Sequence, residues 1–303
     1  MPVIVSRRSV ILAPAALIST AIPASSATKM KLSIHQVTSL AAGFQRSLEG
    51  WQKAGVKNVE LTAGALDDFL KSNTLSAARH VLDDLGLTAV SCGAPNMGAI
   101  WLSGEMRSAA LDNLKSQCDR FAVFGTKHIV CPTGTNKQID ANDYAAAREN
   151  IREVGDIAKQ FGMTVALEFT RNSPFISTLP TALKLTRDAA HPNVRPMIDT
   201  FHFWAGPSKV EDLDLIRPGE IAHVHLEDVP DEPREMLTDP SRMIPGDGTA
   251  PLAAILRKLA TKGYSGALSV ELFAPRFQQG DPYEVARTIR QQTERLMRQA
   301  NVI

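Results

Sequence analysis

Apolar residues along this chain gather into eight short, nearly continuous runs separated by longer stretches of helical period. The runs are KLSIHQV at 31–37, NVELT at 58–62, LTAVSC at 87–92 and HIVCPT at 128–133. TVALEF at 164–169, RPMID at 195–199, IAHVHL at 221–226 and ALSVEL at 267–272 complete the series. Runs of this length, bounded by Gly, Pro or Asn, predict strands of a parallel sheet covered on both faces. Between them, MRSAALDNLKSQCDRFAVFG places Ala109, Leu111 or Ala110, Leu114, Cys118 and Phe121 at helical spacing and stops at Gly125. DYAAARENIREVGDIAKQFG stops in the same way at Gly162, and PLAAILRKLATKGYSG repeats the order helix, glycine, strand. Eight strand–helix pairs predict an α/β fold, a single (β/α)8 TIM barrel spanning 28–303. A doubly wound sheet is the competing arrangement. No Gly-rich phosphate fingerprint follows the first strand, which disfavours it.

The amino-terminal residues fall outside that pattern. The first acidic residue is Glu49, and Arg7 and Arg8 precede a weakly apolar stretch at 10–24 broken by Pro14 and Pro23. Ser25 and Ala27 are small residues placed as a cleavage site requires. The stretch is too short and too interrupted for a stable membrane anchor. Residues 1–27 resemble a twin-arginine export signal, so the expected location is the periplasm, with the cytoplasm as the alternative.

Composition narrows the partners. The 303 residues are 44% hydrophobic and 21% charged, enough to bury a sizeable core. A formal net charge of +1 offers no global field for nucleic acid or an anionic membrane. Cys92, Cys118 and Cys131 have no metal-type spacing and are expected to be free core residues.

Chemistry concentrates where the last four strands end. ALEFT ends in Glu168, MIDTFH carries Asp199, AHVHLED carries His225 and SVELF carries Glu271. The intervals of 31, 26 and 46 residues each span one strand–helix unit, so the four are equivalents on successive strands. The carboxyl-terminal rim of such a barrel is where sites are built. Three carboxylates crowded there repel unless a cation neutralises them. Oxygen donors with one imidazole favour a single divalent ion, Mg²⁺, Mn²⁺, Co²⁺ or Zn²⁺. His223, on the same strand as His225, is expected to face the helices as a structural residue. His35, Asn96, Trp101 and Thr133 lie near the first four strand ends and could shape a pocket or simply pack.

The segments ALEF, DTFHF, VHLEDVPDEPREMLTDPSRMIPGDG and SVELFAP, and more weakly KLSIHQVTSL, resemble the xylose-isomerase-like barrel family of sugar isomerases and epimerases. The similarity covers most of 31–290, and the LTDPSR-x-x-PGDG loop points to its inosose-isomerase branch. That resemblance implies that Glu168, Asp199, His225 and Glu271 bind the metal, with Glu168 and Glu271 also acting as the acid/base pair. It implies that His202 and Arg242 contact substrate oxygens; alternatives are a core imidazole for His202 and an ion pair with Asp239, Asp247 or Glu227 for Arg242. The activity implied is isomerisation or epimerisation of an inosose or ketose through an enediolate. A lyase acting on an oxidised sugar, 3-oxo-glycoside or inosose could use the same groups, and so could a non-catalytic exported sugar- or metal-binding protein. Endonucleases of the family require further histidines, and this chain has seven in all, with no Asp-x-His where LTDPSR stands. The expected partner is a small sugar or cyclitol, with no nucleic acid. Apolar residues on the last helix, read as exposed, would permit a homo-oligomer.

Overall fold

The computed structural model describes residues 29–93 and 97–303; the expected export signal at 1–27 and Asn96 lie outside the described residues. Nine strand segments follow one another in parallel: β1 Lys31–His35, β2 Asn58–Thr62, β3 Thr88–Gly93, β4 His128–Pro132 and β5 Thr164–Glu168. β6 Val194–Pro196, β7 Ile198–Asp199, β8 Val224–His225 and β9 Ala267–Val270 complete the series. Their order is β6-β5-β4-β3-β2-β1-β9-β8-β7.

β6 and β7 are two parts of one stave. Met197 N–H donates to the Leu167 carbonyl at 3.0 Å, and Ile198 N–H turns the other way to His223 O at 3.2 Å. Ala222 N–H reaches Pro196 O at 2.9 Å. These bonds close the barrel to eight staves. The rung that Pro196 cannot donate is missing, because proline has no N–H.

The strands coincide with the eight apolar runs to within a few residues. Helices Met106–Ala122, Ala141–Gln160 and Leu252–Thr261 lie where the helical periods put them. Gly125 and Gly162 adopt φ of +72° and +66° just beyond the first two, a conformation glycine enters without steric cost.

Alternation along each strand sorts the side chains. Ile34, Val59, Leu61, Ile129, Val165, Leu167, Val224 and Leu268 join the main core with the helices. A small apolar cluster of Val130, Ala166, Met197 and Ala222 stands apart from it. The strands also bury polar residues: Ser33, Glu60, Ser91 and Ser269 are fully shielded from solvent. The three cysteines are free and buried, as expected, and burial pushes the Cys118 thiol up to about 12.

The last helix, Pro282–Gln299, differs from expectation. Its Ala286, Ile289, Leu296 and Met297 are buried in the main core. No large apolar side chain on it is exposed. The helix buries its own apolar stripe against the barrel. Among the described residues, no helix is long and apolar enough to cross a membrane.

Candidate active site

Glu168, Asp199 and His225 are the last residues of β5, β7 and β8, and Glu271 follows β9 by one position. One ligand atom from each lies within 4.8 Å of the others, and all four residues are buried. The structure therefore brings together the four strand-end residues. His225 Nδ1 is 3.2 Å from Glu168 Oε1, 3.4 Å from Glu271 Oε2 and 3.6 Å from Asp199 Oδ2.

Local folding aims each group. Asp199 begins the short helix Thr200–Ala205, and its Oδ1 accepts the His202 N–H at 2.7 Å. That cap leaves Oδ2 for the cluster. Both oxygens of Glu60 lie 3.2 Å from His225 Nε2, which turns Nδ1 toward the carboxylates. His225 Nδ1 is buried and makes no hydrogen bond. An unpartnered buried imidazole nitrogen facing three carboxylate oxygens fits a divalent cation.

Arg242 arrives on the loop after β8. Its neighbour Met243 exchanges both backbone hydrogen bonds with Asp228, at 2.9 and 3.0 Å. The Asp228 carboxylate also accepts from the backbone N–H groups of Val229, Gly246, Gly248 and Ala250 at 2.9–3.0 Å. A Cβ on Gly248 would lie 2.2 Å from Val229 O, so only glycine allows that approach. The PGDG turn is thus wound around one buried carboxylate. Arg171, two residues past the ALEF segment, ties the same loop down through the carbonyls of Arg234 and Leu237.

The Arg242 guanidinium is buried between the rings of Phe201 and Phe273, 4.7 and 5.0 Å from their centroids. Its Nη1 lies 2.7 Å from Asp199 Oδ2, 3.0 Å from Glu271 Oε2 and 3.4 Å from Glu227 Oε1. Ion pairing with Asp239, at 3.6 Å, is also present. His202 Nε2 lies 3.5 Å from Arg242 Nη2, while its Nδ1 is buried without a hydrogen bond. The aromatic neighbours of the DTFHF segment therefore enclose a cation as well as shaping the wall.

Charge is distributed unevenly among the carboxylates. Burial alone would raise Asp199, but Arg242, His202 and His225 hold it well below the usual range. Burial is likewise outweighed at Glu271, which His225, His35 and Arg242 bring down to about 2. At Glu168 burial prevails over His225 and the carboxyl is raised. Glu227 is raised well above its ordinary value by burial and by the charge on Asp199.

A cavity of about 340 Å³ opens beside the cluster. Glu168, His225 and Glu271 form one side; His35, Thr62 and Phe273 contribute to the rest. His35 Nδ1 lies 3.6 Å from Glu271 Oε1. Trp101 and Thr133 are packing residues: the indole N–H donates to Pro132 O at 3.1 Å, and the Thr133 hydroxyl to Ile176 O at 2.9 Å.

One expectation is corrected here. His223 does not face the helices, because residues two apart on a strand share a face. Its Nε2 lies 2.8 Å from Glu60 Oε2 and 3.1 Å from Ser91 Oγ, inside the barrel. Sequence reasoning also missed Glu60 as a member of this network, while Glu227 was anticipated only as an alternative ion-pair partner of Arg242. A carboxylate at the centre of an apolar strand such as NVELT was the available signal, since such a group is buried only with partners.

Comparison with known proteins is consistent with this geometry. A family model described as the xylose isomerase-like TIM barrel matches residues 49–298. The chain is 28% identical over 272 residues to the inosose isomerase of Halalkalibacterium halodurans, covering 87% of this chain and 95% of that protein. It is 27% identical over 248 residues to the 3-dehydroshikimate dehydratase of Pseudomonas putida, covering 79% of this chain and 38% of that one. The crystal structure of the IOLI protein with a bound zinc atom superposes with a TM-score of 0.80 at 25% identity, covering 88% of this chain and 98% of that one.

Proposed function

The chain belongs to the xylose isomerase-like TIM barrel family, and on that premise we propose that it is a divalent-metal-dependent isomerase or epimerase of a small polyhydroxy ketone. The observation that carries this reading is the buried cluster of Glu168, Asp199, His225 and Glu271 opening onto the cavity. These four residues would hold the cation. When bound, it supplies Lewis-acid polarisation of the carbonyl and neutralises the oxyanion that forms on enolisation.

The protein groups perform the proton transfers. Glu168 and Glu271 reach the cavity from β5 and from the end of β9. One takes the proton from the carbon between the carbonyl and the adjacent hydroxyl, and the other returns a proton to the neighbouring carbon. With the hydroxyl proton passing to the former carbonyl oxygen, the carbonyl moves by one carbon; a proton returned instead to the same carbon from its opposite face inverts the stereocentre. By the family resemblance Arg242 and His202 would hold substrate oxygens, although neither lines the cavity in this structure, where Arg242 Nη1 faces Glu271 Oε2 at 3.0 Å and Asp199 Oδ2 at 2.7 Å. Among the described cavity-lining residues none is Lys or Arg, which supports an unphosphorylated substrate such as an inosose or ketose.

A second reading is favoured by the dehydratase relative. The same enediolate expels a leaving group from the β-carbon if one is present. Proton exchange tests both. Metal-loaded protein in D₂O with a panel of inososes, ketohexoses and 3-oxo-glycosides is expected to lose α-proton NMR signal from at least one of them. A chelator should stop the exchange, and the product should separate isomerase from lyase. No exchange from any member despite bound metal would sink the enolisation reading for this panel.

Arg7–Arg8 and the weakly apolar stretch after them support export to the periplasm through the twin-arginine route. Changing both arginines to lysine in the full chain is expected to leave it in the cytoplasmic fraction, read by fractionation and immunoblot. Unchanged periplasmic recovery would count against that route.

A further inference from the structure

We propose that Glu60 is a positioning residue that fixes His225 in the tautomer offering Nδ1 to the cation. This rests on the metal-site reading above. Glu60 stands at the centre of β2, across the barrel from β8, and is fully buried. Both of its oxygens lie 3.2 Å from His225 Nε2. Oε2 also lies 2.8 Å from His223 Nε2, and Oε1 lies 3.9 Å from His35 Nε2.

An ionised carboxylate can only accept hydrogen bonds. The imidazole nitrogens facing Glu60 must therefore carry the protons. With its proton on Nε2, neutral His225 presents a lone pair at Nδ1. Nδ1 is also the ring nitrogen that makes no hydrogen bond and faces Glu168, Asp199 and Glu271. A carboxylate behind a ligating histidine sets the tautomer, orients the ring and raises its basicity. His223, itself within 3.1 Å of Ser91 Oγ, keeps Glu60 from turning away.

Glu60, His223 and His225 could in principle hold a second ion, since their donor atoms also lie within 4.8 Å of one another. The contacts of 2.8 and 3.2 Å are hydrogen-bond distances, however. Both Glu60 oxygens and His223 Nε2 have hydrogen-bond partners, whereas His225 Nδ1 has none. The geometry assigns the cation to the Nδ1 side and leaves Glu60 behind it.

The test is competitive titration of the apo protein with Zn²⁺ against a chromophoric chelator, beside the thermal midpoint of each apo form. Wild type is expected to bind one equivalent. Glu60→Gln is expected to bind one equivalent roughly 10- to 100-fold more weakly, by more than any fall in apo stability accounts for. Unchanged affinity would overturn the proposal. So would two equivalents in wild type with one lost in the variant, which would make Glu60 a ligand. If wild type binds no zinc, the metal-site reading itself fails and takes this proposal with it.

Should Glu60→Gln not fold, long-range ¹H–¹⁵N spectra of the zinc-loaded wild type decide. His225 should be protonated at Nε2 with zinc on Nδ1. Zinc on Nε2 with Nδ1 protonated would overturn the assignment.

Discussion

Replacing Glu271 with Gln is expected to slow α-proton exchange and turnover by roughly 10²- to 10⁴-fold. Glutamine keeps the shape and an oxygen that accepts from Arg242 Nη1, 3.0 Å away. It cannot take up a proton at neutral pH. Glu271 borders the cavity and also faces His225 Nδ1 at 3.4 Å, so the variant removes one proposed ligand charge as well. The two effects separate by measurement. Exchange is followed at rising Zn²⁺ or Mn²⁺ until the variant is saturated. A loss that persists at saturation belongs to the proton transfer; a loss that added metal fully restores belongs to ligation. Wild-type exchange rates at every metal concentration would remove Glu271 from the mechanism.

Arg242→Ala is expected to destabilise the metal-free protein by about 3–5 kcal/mol, the range for removing one partner of a buried ion pair. The guanidinium is 2% exposed and its Nη1 faces Asp199, Glu271 and Glu227 within 3.4 Å. Without it, two buried carboxylates that the structure holds ionised lose a major counter-charge. They must protonate or expand the site. Saturating divalent metal is expected to recover part of the loss, because a cation bound to Asp199 and Glu271 supplies charge to the same oxygens. Urea unfolding with chelator and with excess Zn²⁺ measures both quantities. A cost below about 1 kcal/mol, in the range of an exposed ion pair, would show that water enters the site and screens these charges.

The candidate site was legible in part, and the limits follow from how each residue is encoded. Glu168, Asp199, His225 and Glu271 stood out because each breaks an apolar run at the same point of a repeating unit. Arg242 was reachable only through a resemblance of its loop, since nothing in LTDPSRMIPGDG by itself says where that arginine goes. Its seat depends on four backbone N–H groups converging on the Asp228 carboxylate and on the ladder between Asp228 and Met243. Glu60 was passed over because a lone acid in NVELT does not announce its partners. Those partners lie 163 and 165 residues away.

Order along the chain was enough to determine the eight staves, the helices between them and the rim on which the last four strands place their polar residues. These are local properties: strand period, helix period and glycine stops act over a few residues. Closure of the barrel decided what no local pattern contains. It set Glu60 against His223 and His225, brought Arg242 onto Asp199 and Glu271, and opened a cavity beside them. Side chains meeting across a closed sheet depend on the register of every stave between them. A contact of that kind exists only once the whole ring has formed.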